Sequence, residues 1–501
     1  MIDPRLPKSR ERIRIAVKDC VRLHHQLSGT QMPPHIRVGH IARRHGEKAQ
    51  SKDDHEKTTD LKKLHHQSED NTLPGTPRYK IASRLSTPRM EGFKLKTAFV
   101  LYLAGAVVLN GLILWQVHDS ILHGYGDFAA FYTAGKLVQQ GRASAMYDRR
   151  AQWQVQQEFA SAVKIRRGPL PYLRPPFEAL LFLPLAHLQY PIACTLWMAL
   201  NVLIVLAIPF VLRSVIGEPE AVSPALGGLL GLAFFPVVFE LLQGQDVVLL
   251  LLALSFTFTS LRRGADFRSG IFLGLGLFKF HLILPIVLIF LLRRKNRVVL
   301  GFLTTAMVLF LVSALVAGWP TLIAYPRYLW DLNRASGIGV TTVTSMPNVR
   351  GLIAALGLSE SSRWATWFLW AVEICGVIFT AYIWGPGSDD DPILVSLGFS
   401  LSIVTTQLTS YYVYSHDLTL LLIPMLGLGG FFVRDLKGRR WPDKLFVGCL
   451  ALLLLSPIHS IVVFRFGCFY WMPLVLLLMA LSMAVIVESR RNPDDCLHFN
   501  R

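Results

Sequence analysis

The 501 residues are 52% hydrophobic and only 17% charged, with a mean hydropathy of +0.41. Soluble domains are about 25% charged, so this composition excludes a soluble globular enzyme, a disordered chain, a collagen and a disulfide scaffold. The net charge of +18 splits evenly: residues 1–89 hold 19 Lys/Arg and 10 Asp/Glu, and the remaining chain carries the other half. In that remainder many bases flank apolar blocks, at Arg262-Arg263, Arg293 to Lys295, Arg434 to Arg440 and Arg490-Arg491. Such clusters mark cytosolic helix ends. They describe orientation in a lipid bilayer, and no nucleic-acid partner is expected.

The apolar blocks run for about 18–22 residues, enough to cross a bilayer as helices, so the expected fold class is an all-α polytopic membrane protein. In chain order, residues 1–89 read as a basic, disordered cytosolic arm, either solvated or resting on an anionic surface. Met90 is an alternative start. Residues 90–487 form the membrane domain, and 488–501 a cytosolic tail. The first span is 95–116, followed by a long outer segment, 117–176. A block at 177–188 is too short to cross and lies at the interface or lengthens the next helix. Crossings are predicted at 190–212, 224–241, 246–261, 298–318, 364–384, 393–409, 418–433, 445–463 and 470–487. Residues 270–292 have arginines at both ends, which favours a short re-entrant pair bending at Lys279-Phe280-His281 over one ordinary crossing. This gives ten full crossings plus the broken pair, with both termini cytosolic. The six cysteines are scattered and read as small hydrophobes.

Polar residues gather at the outer ends. Asp127 follows the first span. Tyr132 and Lys136 share a face if their stretch is helical, and Gly141 would end that helix. The outer segment carries eight bases, including Arg174, against four acids. That excess on the outside points to an anionic ligand. The outer turn Gln243-Gly244-Gln245-Asp246 is compact and polar, and the turn 410–417 brings three tyrosines with His416 and Asp417. Aromatic and amide side chains suit sugar binding, and equally an interfacial aromatic belt. Lys279 is costly inside a bilayer and so a functional candidate, with His281 beside it. The bland alternatives are a helix cap for Asp127 and a snorkelling side chain for Lys279.

The order of these residues carries a resemblance. Gly126-Asp127-Phe128 comes first, then Tyr132 and Ala134, Gly141, Tyr147-Asp148, and Tyr172 with Pro175-Pro176. Trp197, Asn201, Gly244-Gln245 and Lys279, with Arg-Arg-Lys beyond it, complete the series. Over roughly residues 95–480 this resembles glycosyltransferase family 87, the polyprenyl-phosphate-mannose-dependent mannosyltransferase-like membrane proteins of the GT-C class. The resemblance implies a GT-C-like fold, a polyprenyl-phosphate sugar donor and a lipid or glycan acceptor of the cell envelope. It implies a multi-pass plasma-membrane protein with its active site outside, moving a hexose or pentose, mannose first. Asp127 would be the catalytic base. Lys279, His281 and Arg174 would hold the donor phosphate. Tyr132, Tyr172, Gln243, Gln245, Asp246, His416 and Asp417 would line the substrate site. Asp127 has no adjacent second acid, so no obligatory metal or other cofactor is expected. A secondary transporter or lipid flippase is the competing reading, since a broken helix pair with an intramembrane lysine suits one too.

Overall fold

The computed structural model describes residues 88–491, apart from 161–167, 214–222, 335–342, 359–361, 386, 434–437, 456–457, 460–461 and 463–470. The basic arm to residue 87, the tail from 492, and Lys164, Arg166 and Arg167 of the outer segment lie outside the described residues. From Ala98 onward the chain packs as one unit, and every regular element among the described residues is a helix. Among the described residues seven apolar helical runs have the length and hydropathy of a crossing, one of them the stretch 266–292, which folds back on itself. They include α1 (Pro88–Leu122), from Leu95 onward, and α5 (Tyr190–Leu212). Between these two come α2 (Phe128–Gln139), α3 (Arg149–Phe159) and α4 (Ala179–Ala186).

Beyond α5, α6 (Pro224–Ala233) and α7 (Phe235–Gln243) meet at a 65° bend and together have the length and hydropathy of one further run of this kind. Pro236 sits in the first turn of α7 and has no N–H to return to α6, which breaks the ladder there. The crossing expected at 246–261 is α8 (Val247–Arg262), 16 residues and so only ~24 Å long. The one expected at 418–433 is a 3-10 turn, Asp417–Leu421, leading into the 12-residue α16 (Leu422–Val433). As helices both are shorter than the ~30 Å bilayer core, and each starts from a polar turn.

The stretch 266–292 doubles back. It comprises α9 (Asp266–Leu275), a 3-10 turn at Gly276–Lys279, and α10 (Phe280–Leu292). A straight helix of these 27 residues would hold its ends ~40 Å apart. Instead Lys295 Nζ lies 3.5 Å from Asp266 Oδ2, and Lys295 and Arg293 both reach Asp389, at 2.9 and 3.1 Å. The first leg, α9, packs along α11 (Asn296–Ala317), where Thr305 Oγ1 donates to the Ile271 carbonyl at 3.2 Å. Gly270 and Gly301 permit this contact, since a Cβ on either would enter the facing backbone carbonyl. The return leg lies against α14 (Arg363–Ile383) and α15 (Pro392–Thr409). The bend falls at Lys279, where the flanking arginines had placed it.

The described part of residues 117–176, the segment expected outside, folds as a layer of its own. One whole face of α2 is buried, with Phe131 stacked on Phe182 of α4 at 4.9 Å and Phe159 of α3 stacked on Tyr190 at 4.6 Å. Gly135 lets α2 approach the Phe182 carbonyl, and Gly141, with φ +67°, ends the turn after α2. In a cysteine-free background, single cysteines at the exposed positions 268 and 294 are expected to react with an impermeant thiol reagent from the same side of the membrane. Labelling from opposite sides would overturn the doubled-back hairpin.

Candidate functional site

Three turns and the tip of the hairpin meet at one end of the helices. The Gly244–Asp246 turn is held from behind by α5, where Trp197 Nε1 donates to the Gly244 carbonyl at 2.9 Å. Trp197 Nε1 and Asn201 Nδ2 also reach the Gln245 carbonyl, at 3.2 and 3.4 Å. Gly244 is left-handed, φ +59°, and a Cβ there would stand 2.8 Å from that of Phe128. That close approach brings the turn against Asp127. Gly126 plays the same part on the other side, lying flat against the Gln243 carbonyl.

Within this frame the charged side chains interlock. Arg174 grips Asp246 with two bonds, Nε to Oδ2 at 2.6 Å and Nη2 to Oδ1 at 2.9 Å. Lys279 Nζ bridges Asp246 Oδ1 at 3.2 Å and Asp417 Oδ1 at 2.8 Å. The other Asp417 oxygen accepts from the Tyr414 N–H at 2.8 Å, and His416 Nε2 lies 3.6 Å from Oδ1. Arg174 Nη2 donates to Gln245 Oε1 at 3.2 Å, and Gln245 Nε2 donates to Asp127 Oδ2 at 2.5 Å. Asp246 and Asp417 are fully buried, whereas Asp127 is half-buried at the edge of the cluster.

Electrostatics sets the protonation states. Burial works to raise the Asp246 carboxyl, but the charges of Arg174 and Lys279 outweigh it and hold the group well below the usual carboxylate range. Burial likewise opposes ionisation of Asp417, yet Lys279 and then His416 bring it down to about 2. Burial pushes His416 down to about 4, so it is neutral at neutral pH. Glu178 is displaced the other way, raised by burial and then by the charge of Asp246. Two cations, Arg174 and Lys279, thus meet two buried carboxylates, with Glu178 3.9 Å from Arg174 Nε and Asp127 as additional acids.

The sequence candidates divide on this geometry. Asp127, Arg174, Gln245, Asp246, Lys279, His416 and Asp417 come together. Asp127 stands at the N-terminus of α2 but makes no side-chain cap bond, so the bland helix-cap reading does not describe it. His281 sits two residues past Lys279, and its carbonyl accepts from Ser410 at 2.8 Å. Tyr132 does not join the cluster. Its hydroxyl donates to the Leu188 carbonyl at 2.6 Å and its ring is buried against Phe159 and Tyr190. Tyr172 is fully buried, donating to Glu178 and to the Pro175 carbonyl, both at 3.1 Å. Gln243 meets the Asp127 loop through its backbone. Sequence reasoning missed Glu178 and Glu240, both fully buried, the latter accepting from the Val248 N–H. Their signal was plain: each is an acid inside or bordering an apolar block. Among the described residues no group of three His, Cys, Asp or Glu side chains is placed to hold a metal ion.

Fold and site together define a multi-pass helical membrane protein with a buried charge cluster beneath one end of its helices. Residues 172–410 match Glycosyltransferase family 87. Two relatives carry the name polyprenol-phosphate-mannose-dependent alpha-(1-2)-phosphatidylinositol mannoside mannosyltransferase. One, from Mycolicibacterium smegmatis, is 28% identical over 230 residues, covering 43% of this chain and 50% of the relative. The other, from Mycobacterium tuberculosis, is 29% identical over 233 residues, covering 43% and 52%. The chain thus spans about half the length of the curated relatives it matches. No solved structure matches it. The family match takes in Arg174, Gln245, Asp246 and Lys279, while Asp127 precedes it and His416-Asp417 follow it.

Lys279→Met would leave Asp246 and Asp417 buried with only Arg174 as counter-charge. Breaking one partner of a buried ion network costs about 3–5 kcal/mol. Denaturant unfolding in detergent micelles is expected to show a loss of that order, and a loss under about 1 kcal/mol would contradict a bridging lysine.

Proposed function

We propose that this chain is a membrane glycosyltransferase that moves a hexose or pentose, mannose first, from a polyprenyl-phosphate donor to a hydroxyl of an envelope lipid or glycan. The observation that carries the reading is Asp127, held by Gln245 through one oxygen at the half-buried edge of a closed charge cluster. Among the described residues its other oxygen, Oδ1, has no hydrogen-bond partner and is available to an acceptor. The named activity of the two relatives supplies the donor class.

In this reading the acceptor oxygen attacks the anomeric carbon while Asp127 removes its proton. The bond from that carbon to the phosphate oxygen breaks, and its electron pair leaves on the polyprenyl phosphate. The developing phosphate charge needs a fixed cation nearby. Arg174 is the better placed of the two, because its side chain is 12% exposed against 2% for Lys279. Lys279 is closed off between the two aspartates and holds the site together. The topology belongs to the same proposal. The protein lies in the plasma membrane, with α8 and α16 as short crossings among ten, both termini cytosolic, and the cluster facing outward.

Asp127→Asn preserves size and hydrogen bonding but cannot take a proton. Transfer from labelled polyprenyl-phosphate-mannose in membranes is expected to fall by about 10²–10⁴-fold, with insertion and melting unchanged. Undiminished transfer by correctly inserted protein would remove Asp127 as the base.

A further inference from the structure

We infer that Gln245 is a positioning residue, through which Arg174 sets the direction in which Asp127 presents its carboxylate. The inference rests on the reading of Asp127 as the base and adds a second layer to it. Its ground is directional chemistry. A guanidinium can only donate and an ionised carboxylate can only accept, so the Gln245 amide between them has one possible orientation. Its oxygen must face Arg174 Nη2, 3.2 Å away, and its nitrogen must face Asp127 Oδ2, 2.5 Å away.

Each link is fixed by the one behind it. Gln245 is buried, 6% exposed, and its backbone is tied down by the Trp197 and Asn201 bonds and by its own N–H donating to the Glu240 carbonyl at 3.1 Å. The same Arg174 nitrogen that reaches Gln245 also grips Asp246, and Asp246 is anchored by Lys279. Arg174 is set from the far side as well. Tyr147 donates to its carbonyl at 2.8 Å, and Tyr325 donates to that of Leu173 at 2.9 Å. The amide pins Oδ2 of Asp127 and leaves Oδ1 as the oxygen that meets an acceptor hydroxyl. A carboxylate free to rotate would present either oxygen, at the cost of alignment.

The test replaces the amide and reads the pH–rate profile for transfer from labelled polyprenyl-phosphate-mannose in membranes holding the full chain. The charged and titratable groups around Asp127 are His416 on the 410–417 turn, then Arg174, Asp246 and Lys279 behind Gln245. All of them stay in place when only residue 245 changes. Gln245→Glu keeps the acceptor for Arg174 but sets a second carboxylate against Asp127, and the acid limb is expected to rise by about one pH unit. Gln245→Met keeps the length and removes both bonds. It is expected to raise the acid limb by less, and to lower kcat about tenfold with KM little changed. A folded Gln245→Glu protein with an unmoved acid limb overturns the inference, as does an unmoved limb and unchanged kcat in Gln245→Met should the glutamate variant not fold. Asp127→Asn run in parallel separates the two layers. If it remains active, the base reading fails; if it is inactive while the residue-245 variants behave as wild type, the relay alone fails.

Discussion

An ammonium group inside a membrane protein has to be met by counter-charge, and the position of Lys279 decides much else here. It lies at the tip of a hairpin whose two legs are each too short to cross a bilayer. It is 2% exposed, and its counter-charges come from two turns far apart in sequence, at Asp246 and Asp417. A lysine at that depth without them would carry a desolvation cost of several kcal/mol. The requirement therefore draws α8, the α15–α16 connection and the hairpin to one point. Arg174 completes the balance by taking the remaining oxygen of Asp246. The hairpin is anchored at its base by a second set of charges, Arg293 and Lys295 on Asp389 and Lys295 on Asp266, so it is fixed at both tip and base.

Much of this was legible because polar residues stand out at the ends of apolar blocks. Asp127, Gln245, Asp246, Lys279, His416 and Asp417 could be singled out from position alone, and the doubled-back stretch from its two arginine clusters. What resisted was anything decided by packing. Tyr132 and Tyr172 stand in the same ordered series as Asp127, yet one is locked into an aromatic cluster and the other behind Glu178. A ring's neighbours are not written in its spacing. Crossing lengths failed for a related reason. α8 begins at the polar Gly244–Asp246 turn and ends at Arg262, so its helix is shorter than a bilayer-spanning one.

The basic segment 117–176 shows how composition points to a place without identifying the residue. Eight bases in residues 117–176 suggested an anionic ligand. Among the described ones, Lys136 bonds Gln139 and lies 5.7 Å from the Tyr132 ring, while Arg142 reaches Gln140 and Gln154 at the surface. Arg174 alone enters the cluster. The segment's larger contribution is mechanical: its buried aromatic layer fixes α2, and with it Asp127, while Tyr147 and Tyr325 fix the backbone on which Arg174 is carried. Two sides of one folded layer thus deliver an acid and a cation to opposite ends of a single glutamine. An excess of charge in an outer segment measures only the opportunity for such a contact. The layer's packing, which composition does not report, selects the one arginine that makes it.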